Sequence, residues 1–323
     1  MKIIKTAGLF FILSLVVISG LIWWLLGPVS GVAKPSVYIK SQETIDVAGE
    51  LVKAGFIRNA NAFELVYLFS FGDKKIEAGG YRLDPSMSAW QIMYKITQKP
   101  DLVWVTIREG LRKEQVGEVI AQALDWNDSQ LHTWDVLYTT DTKPDYAEGV
   151  YFPDTYLLPK DETVEQIAQR FIDRFNEKFA PFMDKFTAKN IRWTTGLKIA
   201  SLIQREAGGT DDMKLISGII WNRLDKDMKL EIDATMQYTR GKVGDAWWGN
   251  IDLSQKKSDS PYNTYVYKGL PPTPISNPGL AAIDAALNPE TTDCIFYLHS
   301  KDKQIHCART YEEHLQNIDK YLR

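Results

Sequence analysis

Apolar and polar positions along this chain fall into three kinds of pattern. The first is a block: Ala7 to Leu26 carries no charge and is mainly apolar, with Lys2 and Lys5 ahead of it and Trp23-Trp24 near its far end. A helix needs about 20 apolar residues to span a bilayer, leading lysines favour the cytoplasmic side, and tryptophans favour the interface. Gly31-Val32-Ala33 would suit cleavage of a signal peptide, but the run exceeds the roughly 7–15 apolar residues of such peptides. The pattern predicts an uncleaved anchor over residues 1–27, a Pro-containing linker over 28–36, and a body outside the cytoplasm.

The second pattern alternates short strands with short amphipathic helices. Ser36 to Lys40 reads as a strand, Ile45 to Ala54 as a helix closed by Gly55, and Phe63 to Phe71 as another helix. Gly79 to Leu83 then reads as a strand, Ala89 to Thr97 as a helix and Leu102 to Arg108 as a strand, before a helix from Lys113 to Leu124. The segments Ser41–Gly55 and Gly110–Leu124 echo each other, each a polar helix with an aliphatic stripe after a strand. Short β-α-α-β units of this size resemble LysM modules, which bind N-acetylglucosamine chains; a spacer holding the rest of the chain off a membrane would read the same way. Residues 125–147 are polar and read as an irregular connector, so the first module spans 37–145 and a second domain begins near Tyr146.

The third pattern is of longer helices with wide apolar stripes. Glu162 to Phe182 places Ile167, Phe171, Ile172, Phe175 and Phe179 on one face, and Lys214 to Leu224 buries Leu215, Ile216, Ile219 and Ile220. Between them, Gly196 to Ala207 carries Ile199, Leu202 and Ile203 at i, i+3 and i+4, with Glu206 at i+7 on the same stripe. Gly208-Gly209 should stop this helix. A carboxyl on an apolar face in the last turn sits out of water and near the negative end of the helix dipole, and both raise its pKa. A glutamate protonated near neutrality is the general acid of glycosidic-bond cleavage, although a side chain curled out to solvent at a frayed end fits the spacing equally. The chain closes on two short β-like runs about Lys301-Asp302-Lys303 and a helix from Tyr311 to Leu322.

Composition changes this picture little. The 323 residues hold one large or two modest domains, and a net charge of -3 gives no support for nucleic-acid binding. Ten Trp, 15 Tyr and 13 Phe would suit sugar stacking as well as an ordinary core. Four scattered histidines and no H-E-x-x-H string leave no metal cluster, and no cofactor is expected. Cys294 and Cys307 would meet across a hairpin; the spacing fits a disulfide in an oxidising compartment and equally two free thiols.

Several strings, in order over about residues 146–315, resemble the membrane-anchored endolytic murein transglycosylases of the MltG type, with a YceG-like domain. They are Glu148-Gly149 with Phe152-Pro153-Asp154-Thr155-Tyr156, Ala200 to Glu206, Asn222-Arg223-Leu224, Asp233-Ala234-Thr235 with Gln237-Tyr238, Tyr262-Asn263-Thr264-Tyr265, Gly269-Leu270-Pro271-Pro272, Ile275 to Gly279, and His306, Thr310 and His314. The resemblance implies an α+β fold: an N-terminal transmembrane helix, a small LysM-like module and a lysozyme-like α+β catalytic domain over 146–323. It implies a lyase that cuts the MurNAc-β-1,4-GlcNAc bond within glycan strands, leaving 1,6-anhydro-MurNAc ends and limiting the length of nascent strands from the inner membrane. Glu206 maps onto the family's catalytic glutamate; many relatives carry a second glutamate where this chain has Gln204, which leaves the apolar stripe.

Candidate substrate-binding residues are Glu148, Asp154, Tyr156, Asn222, Arg223, Asp233, Tyr238, Tyr262, Asn263, Thr264 and Tyr265. On residue type alone, Asp154 and Asp233 also suit turn capping, and Arg223 suits the C-terminal dipole of its helix. His306 and His314 are given no catalytic part. The implied partners are peptidoglycan glycan strands and, at the N-terminal helix, the membrane, with peptidoglycan synthases a further candidate. Two rivals remain open: a non-catalytic glycan-binding scaffold, and a hydrolytic muramidase in which Asp154 or Asp233 supplies a second carboxylate.

Overall fold

A computed structural model of the protein describes residues 2–29, 36–40, 43–72, 74–137, 148–252 and 254–323, with the side chains of 2–12, 36 and 45 outside that description. Most of the expected linker, and Tyr146 at the expected domain boundary, lie outside the described residues. The chain divides into two compact units: Met1–Trp104 with Tyr156–Asp161, and Val105–Thr155 with Glu162–Arg323.

The first unit opens with helix α1 (Lys2–Leu26). Among the described residues no helix is long and apolar enough to cross a membrane. Past the end of α1, the Arg58 guanidinium donates to the carbonyls of Trp24, Gly27 and Pro28, which a helix C-terminus leaves unsatisfied. Strand β1 (Ser36–Ile39), helices α2 (Thr44–Lys53) and α3 (Ala60–Phe71), and strand β2 (Gly79–Arg82) follow in the expected order. β1 and β2 pair antiparallel, with Val37 opposite Tyr81. Asn59 caps α3 by accepting from the Ala62 N–H, and Phe63, Tyr67 and Phe71, four apart, face the core. Helix α4 (Ala89–Ile96) begins with a reciprocal Ser88–Gln91 capping box. Val47, Leu51, Phe63, Tyr81, Ile92 and Met93 make the centre of this unit's core. Strands β3 (Leu102–Thr106) and β4 (Thr155–Pro159) complete a four-stranded sheet in the order β1-β2-β3-β4, and both carry the chain between units.

The second unit is mainly helical. Helix α5 (Lys113–Leu124), expected in the N-terminal module, belongs here. The reason is polar as well as apolar: the Lys113 N–H donates to Glu148, and the Arg112 guanidinium donates to the Tyr238 carbonyl. The tract expected to be an irregular connector contains helix α6 (Asp128–Val136), capped reciprocally by Asn127 and Gln130. Its Trp134 is fully buried, donates from the indole N–H to the Lys113 carbonyl, and rests on Gly117. Capping signal and one large anchor outweigh the polar composition.

Helix α7 (Val164–Ala188) buries Ile167, Phe171, Phe175, Phe179 and Phe186, and runs one and a half turns past the expected end. Pro181 removes one rung of the ladder, but Phe179 and Phe186 hold the helix from both sides of it. Helix α8 (Trp193–Glu206) crosses it where Gly196 meets the Phe186 ring. Helices α9 (Met213–Asp225), α10 (Asp233–Arg240) and α11 (Leu280–Leu287) pack around α8. A hairpin of β5 (Phe296–His299) and β6 (Ile305–Ala308), with Tyr297 opposite Cys307, leads into helix α12 (Tyr311–Tyr321). Cys294 and Cys307 are joined in a disulfide with Cα atoms 5.8 Å apart, closing one of the two readings of that spacing.

The α7–α8 crossing leaves no room for a side chain at 196: a Cβ there would lie 2.4 Å from the Phe186 ring. Gly196→Ala should therefore destabilise the second unit by roughly 1–3 kcal/mol, the usual range for overpacking, despite the better helix propensity of alanine. Urea unfolding of the two proteins checks this; an equal or higher midpoint in the variant would show that Phe186 can move aside.

Candidate active site

Helix α8 is held on three sides before it delivers its last residue. Ile199, Ala200, Leu202 and Ile203 are fully buried. Ser201, also buried, accepts from the Ile275 N–H at 3.1 Å through its hydroxyl and from the Ser276 hydroxyl at 3.2 Å through its carbonyl. Gln204 leaves the stripe, as the spacing predicts, and its amide oxygen accepts from the Gly279 N–H at 3.0 Å. The helix ends at Glu206, where Ala207 swings to an extended conformation. The glycines do not end it by a left-handed turn: neither Gly208 nor Gly209 has positive φ. Their N–H groups instead donate to Asp212, which the His299 ring meets at 2.7 Å.

Glu206 opens onto a cavity of about 690 Å³. The wall is made by Arg223 from α9, by Leu230, Glu231 and Asp233 at the start of α10, by Lys256 and Tyr265 from the following loops, by Phe296 and Tyr297 from β5, and by Tyr311 and His314 from α12. Three carboxyls share this wall, and they are treated differently. Asp233 meets the Lys256 ammonium at 3.1 Å and accepts from the Tyr265 hydroxyl. Glu231 meets Arg223, also at 3.1 Å. Glu206 has no cationic partner among the described residues; Tyr297 donates its hydroxyl to Oε2 at 2.5 Å. Burial pushes the Glu206 carboxyl above the ordinary range; Tyr297 opposes the shift, the negative charge of Asp233 adds to it, and His299 and Arg205 oppose it more weakly. Burial and the same carboxyl drive the Tyr297 hydroxyl well above its ordinary value, so it stays a donor.

Of the residues singled out from sequence, Glu206, Asp233, Arg223 and Tyr265 come together at this cavity. Arg223 is mostly a brace: it donates to the carbonyls of Ile295, Lys229 and Leu230, and lies 5.1 Å from the Phe296 ring centre. The others lie elsewhere. Asn222 donates its amide to the Thr292 and Cys294 carbonyls. Asn263 donates to the carbonyls of Lys256 and Ser258, and Thr264 bonds Thr235 and the Ile232 N–H inside the core. Tyr238 and Tyr262 pack ring on ring at 5.1 Å, the Tyr262 hydroxyl bonding Thr273. Asp154 is bound by Arg174 and the Thr155 N–H. Tyr156 lies on β4 in the first unit.

Glu148 is likewise no part of the cavity: only 4% exposed, it accepts from the Lys113 N–H and from the Asn277 amide. Burial, with the charge of Glu114 adding to it, raises its pKa to about 8.

Sequence reasoning missed Tyr297, Lys256, Glu231, Phe296 and Tyr311, and left His314 without a part. Strand alternation carried a signal for Tyr297 and His299, which share one face of β5; nothing in the sequence marks Lys256. His306 stays out of the cavity, stacked on Tyr321 at 3.5 Å. Among the described residues no group of three or more His, Cys, Asp or Glu side chains is placed to hold a metal ion.

Comparison with known proteins bears on this arrangement. A family model described as the YceG-like family matches residues 37–320. An endolytic murein transglycosylase of Streptococcus pneumoniae is 27% identical over 86% of this chain and 56% of that protein. One of Bacillus subtilis is 28% identical over 92% of this chain and 88% of its own length. The chain thus spans little more than half of the pneumococcal relative. The crystal structure of a yceG-like protein from Listeria monocytogenes superposes with a TM-score of 0.61 at 30% identity, covering 87% of this chain and 97% of that one.

The environment of Glu148 makes a stability prediction. Because its folded pKa of about 8 exceeds the ordinary 4.5, the folded protein keeps a proton that the unfolded chain releases between those values. Stability carried by this group is therefore complete below pH 4.5 and falls as pH rises towards 8, by up to about 1.4 kcal/mol per pH unit. Glu148→Gln should remove that slope. Urea midpoints for both proteins at several pH values between 5 and 8 test it, and parallel curves would exclude a buried protonated Glu148.

Proposed function

This chain belongs to the YceG-like family, and on that premise we propose that it is an endolytic peptidoglycan lytic transglycosylase, with Glu206 as its catalytic acid and base. The observation that carries the proposal is the unequal treatment of the three carboxyls on one cavity wall. Asp233 and Glu231 each face a cation; Glu206 has no ion-pair partner among the described residues, and burial raises its pKa. A carboxyl whose pKa is raised beside an open cavity is suited to protonating a glycosidic oxygen. The Streptococcus and Bacillus relatives, both named endolytic murein transglycosylases, support the same activity.

In this reaction Glu206 gives its proton to the bridging oxygen between N-acetylmuramic acid and N-acetylglucosamine as the C1–O bond breaks. The muramoyl C6 hydroxyl attacks C1, and its proton passes to the Glu206 carboxylate, restoring the acid. No water is consumed, and the product carries a 1,6-anhydro ring. One carboxyl suffices because the nucleophile is part of the substrate, whereas hydrolysis needs a second carboxylate to activate water or to attack. The ionic partners of Asp233 and Glu231 make each a poor second carboxylate and favour the intramolecular reaction over a muramidase. A non-catalytic scaffold would have no use for a carboxyl with a raised pKa at a cavity.

The rest of the chain fits this role. Helix α1, read with the apolar sequence from Ala7 to Leu26, serves as a single-pass anchor in the cytoplasmic membrane. The β1-α2-α3-β2 unit is a LysM-like module that holds the strand near the membrane, where nascent glycan is cut. The Cys294–Cys307 disulfide suits a body in an oxidising compartment outside the cytoplasm.

Purified glycan strands should yield fragments ending in 1,6-anhydromuramic acid, lighter by one water than a reducing end, when read by mass spectrometry. Glu206→Gln should abolish the cut, a fall of at least about a hundredfold for loss of a general acid, with melting temperature level or raised. Reducing-end products from the wild type, or full activity in the variant, would sink the proposal.

A further inference from the structure

We propose that Tyr297 is a positioning residue that decides which oxygen of Glu206 carries the acid proton, and so aims that proton into the cavity. The inference rests on Glu206 being the acid of the reaction above. A carboxylic acid has two oxygens, and a proton on the wrong one points away from the bond to be broken. Tyr297 donates to Oε2 at 2.5 Å, and an oxygen already accepting so short a bond is the poorer site for the proton. Oε1 is left to carry it.

The strand that bears Tyr297 is fixed with unusual thoroughness for a surface hairpin. Just before it, the Asn222 amide donates to the Cys294 carbonyl at 3.0 Å, and Arg223 donates to the Ile295 carbonyl at 2.6 Å. Cys294 is bridged to Cys307, the residue paired with Tyr297 across the hairpin. His299, on the same strand face as Tyr297, holds Asp212, which in turn receives the Gly208 N–H two residues past Glu206. One strand face therefore grips the acid through Tyr297 and the turn after it through His299. Such double anchoring restricts the carboxyl to one orientation, which a cavity lining made only for binding does not need.

The test separates this inference from the reading of function. Carboxyl-labelled glutamate, with the Glu206 signal assigned by its absence in Glu206→Gln, allows that group to be titrated by NMR without substrate. In Tyr297→Phe the lowering hydrogen bond is gone, so the Glu206 titration should move to higher pH. A ring-fluorinated tyrosine at 297, a stronger donor, should move it to lower pH and guards against a phenylalanine variant that fails to fold. In glycan cleavage, kcat of Tyr297→Phe should fall roughly tenfold with KM little changed. The descending limb of its pH profile, where the acid is lost, should move to higher pH along with the titration. A Glu206 titration that stays put or moves down in Tyr297→Phe overturns the inference, as does a limb that fails to follow the titration. If the wild type leaves glycan uncut, the reading of function falls, while the two titrations still decide whether Tyr297 governs the Glu206 proton.

Discussion

Setting a carboxyl half-buried in a cavity wall with no ion-pair partner is costly, and much of the second unit is arranged to sustain that condition at Glu206, which has no such partner among the described residues. A single buried ion partner would relieve it and would also fix the group as a carboxylate, useless as an acid. The burden is carried instead by apolar packing along α8 and by tethers that leave the chain little freedom. Gly196 lets α8 lie against Phe186, and Ser201 binds it to the Ile275–Ser276 segment. The hydroxyl of Tyr297 gives Glu206 a hydrogen bond without a charge. That choice of donor matters: it satisfies one oxygen and tempers the rise in pKa without supplying a positive charge.

Glu148 shows that burial alone does not make an acid catalyst. It is the more deeply buried of the two glutamates and its pKa rises to about 8, but backbone and side-chain donors from Lys113 and Asn277 close around it. Asn277 ties the same knot tighter, donating to the Leu111 carbonyl and accepting from the Tyr151 N–H. The result is a junction that joins the start of α5 to two distant loops. Glu206 differs in one respect that decides its chemistry: it borders a cavity large enough for a sugar. Neither glutamate has an ion-pair partner among the described residues, so access is what separates the carboxyl proposed as the acid from the structural one.

The sequence was most legible where a single periodicity dominated. The stripe from Ile199 to Glu206 picked out a carboxyl that lines the cavity, and the departure of Gln204 from that stripe matches its bond to Gly279 on another side of the helix. The order β1-α2-α3-β2 was readable because each element is short and bounded by turn or capping residues. Helix α6 was not, since eight of its nine residues lie on the surface or half-buried and only Trp134 anchors it. The Asn127–Gln130 capping pair was the signal available there. Site residues proved hardest where polar side chains were read as facing a ligand. Asn222, Asn263 and Thr264 spend their hydrogen bonds on backbone and core groups, because loops rich in glycine and proline have many carbonyls and N–H groups that strands and helices do not satisfy. Residue type cannot distinguish a polar group that holds a loop from one that holds a sugar.

The disulfide belongs to the same constraint as Glu206, although it lies outside the cavity. A two-stranded hairpin is marginal by itself in water, and this one must hold Tyr297 within hydrogen-bond length of a carboxyl on a separate helix. Cross-linking residues 13 apart removes conformations from the loose states of the hairpin more than from the folded one, a contribution of about 3 kcal/mol in the chain-entropy description. Asn222 and Arg223 add a second tether from α9. Both act on the backbone just ahead of Tyr297, so the position of its hydroxyl is set by a covalent bridge and by two helices, α9 behind the strand and α8 before it. Precision at one oxygen atom is thus obtained from a disulfide and from α9 side chains that grip the strand backbone rather than the carboxyl itself.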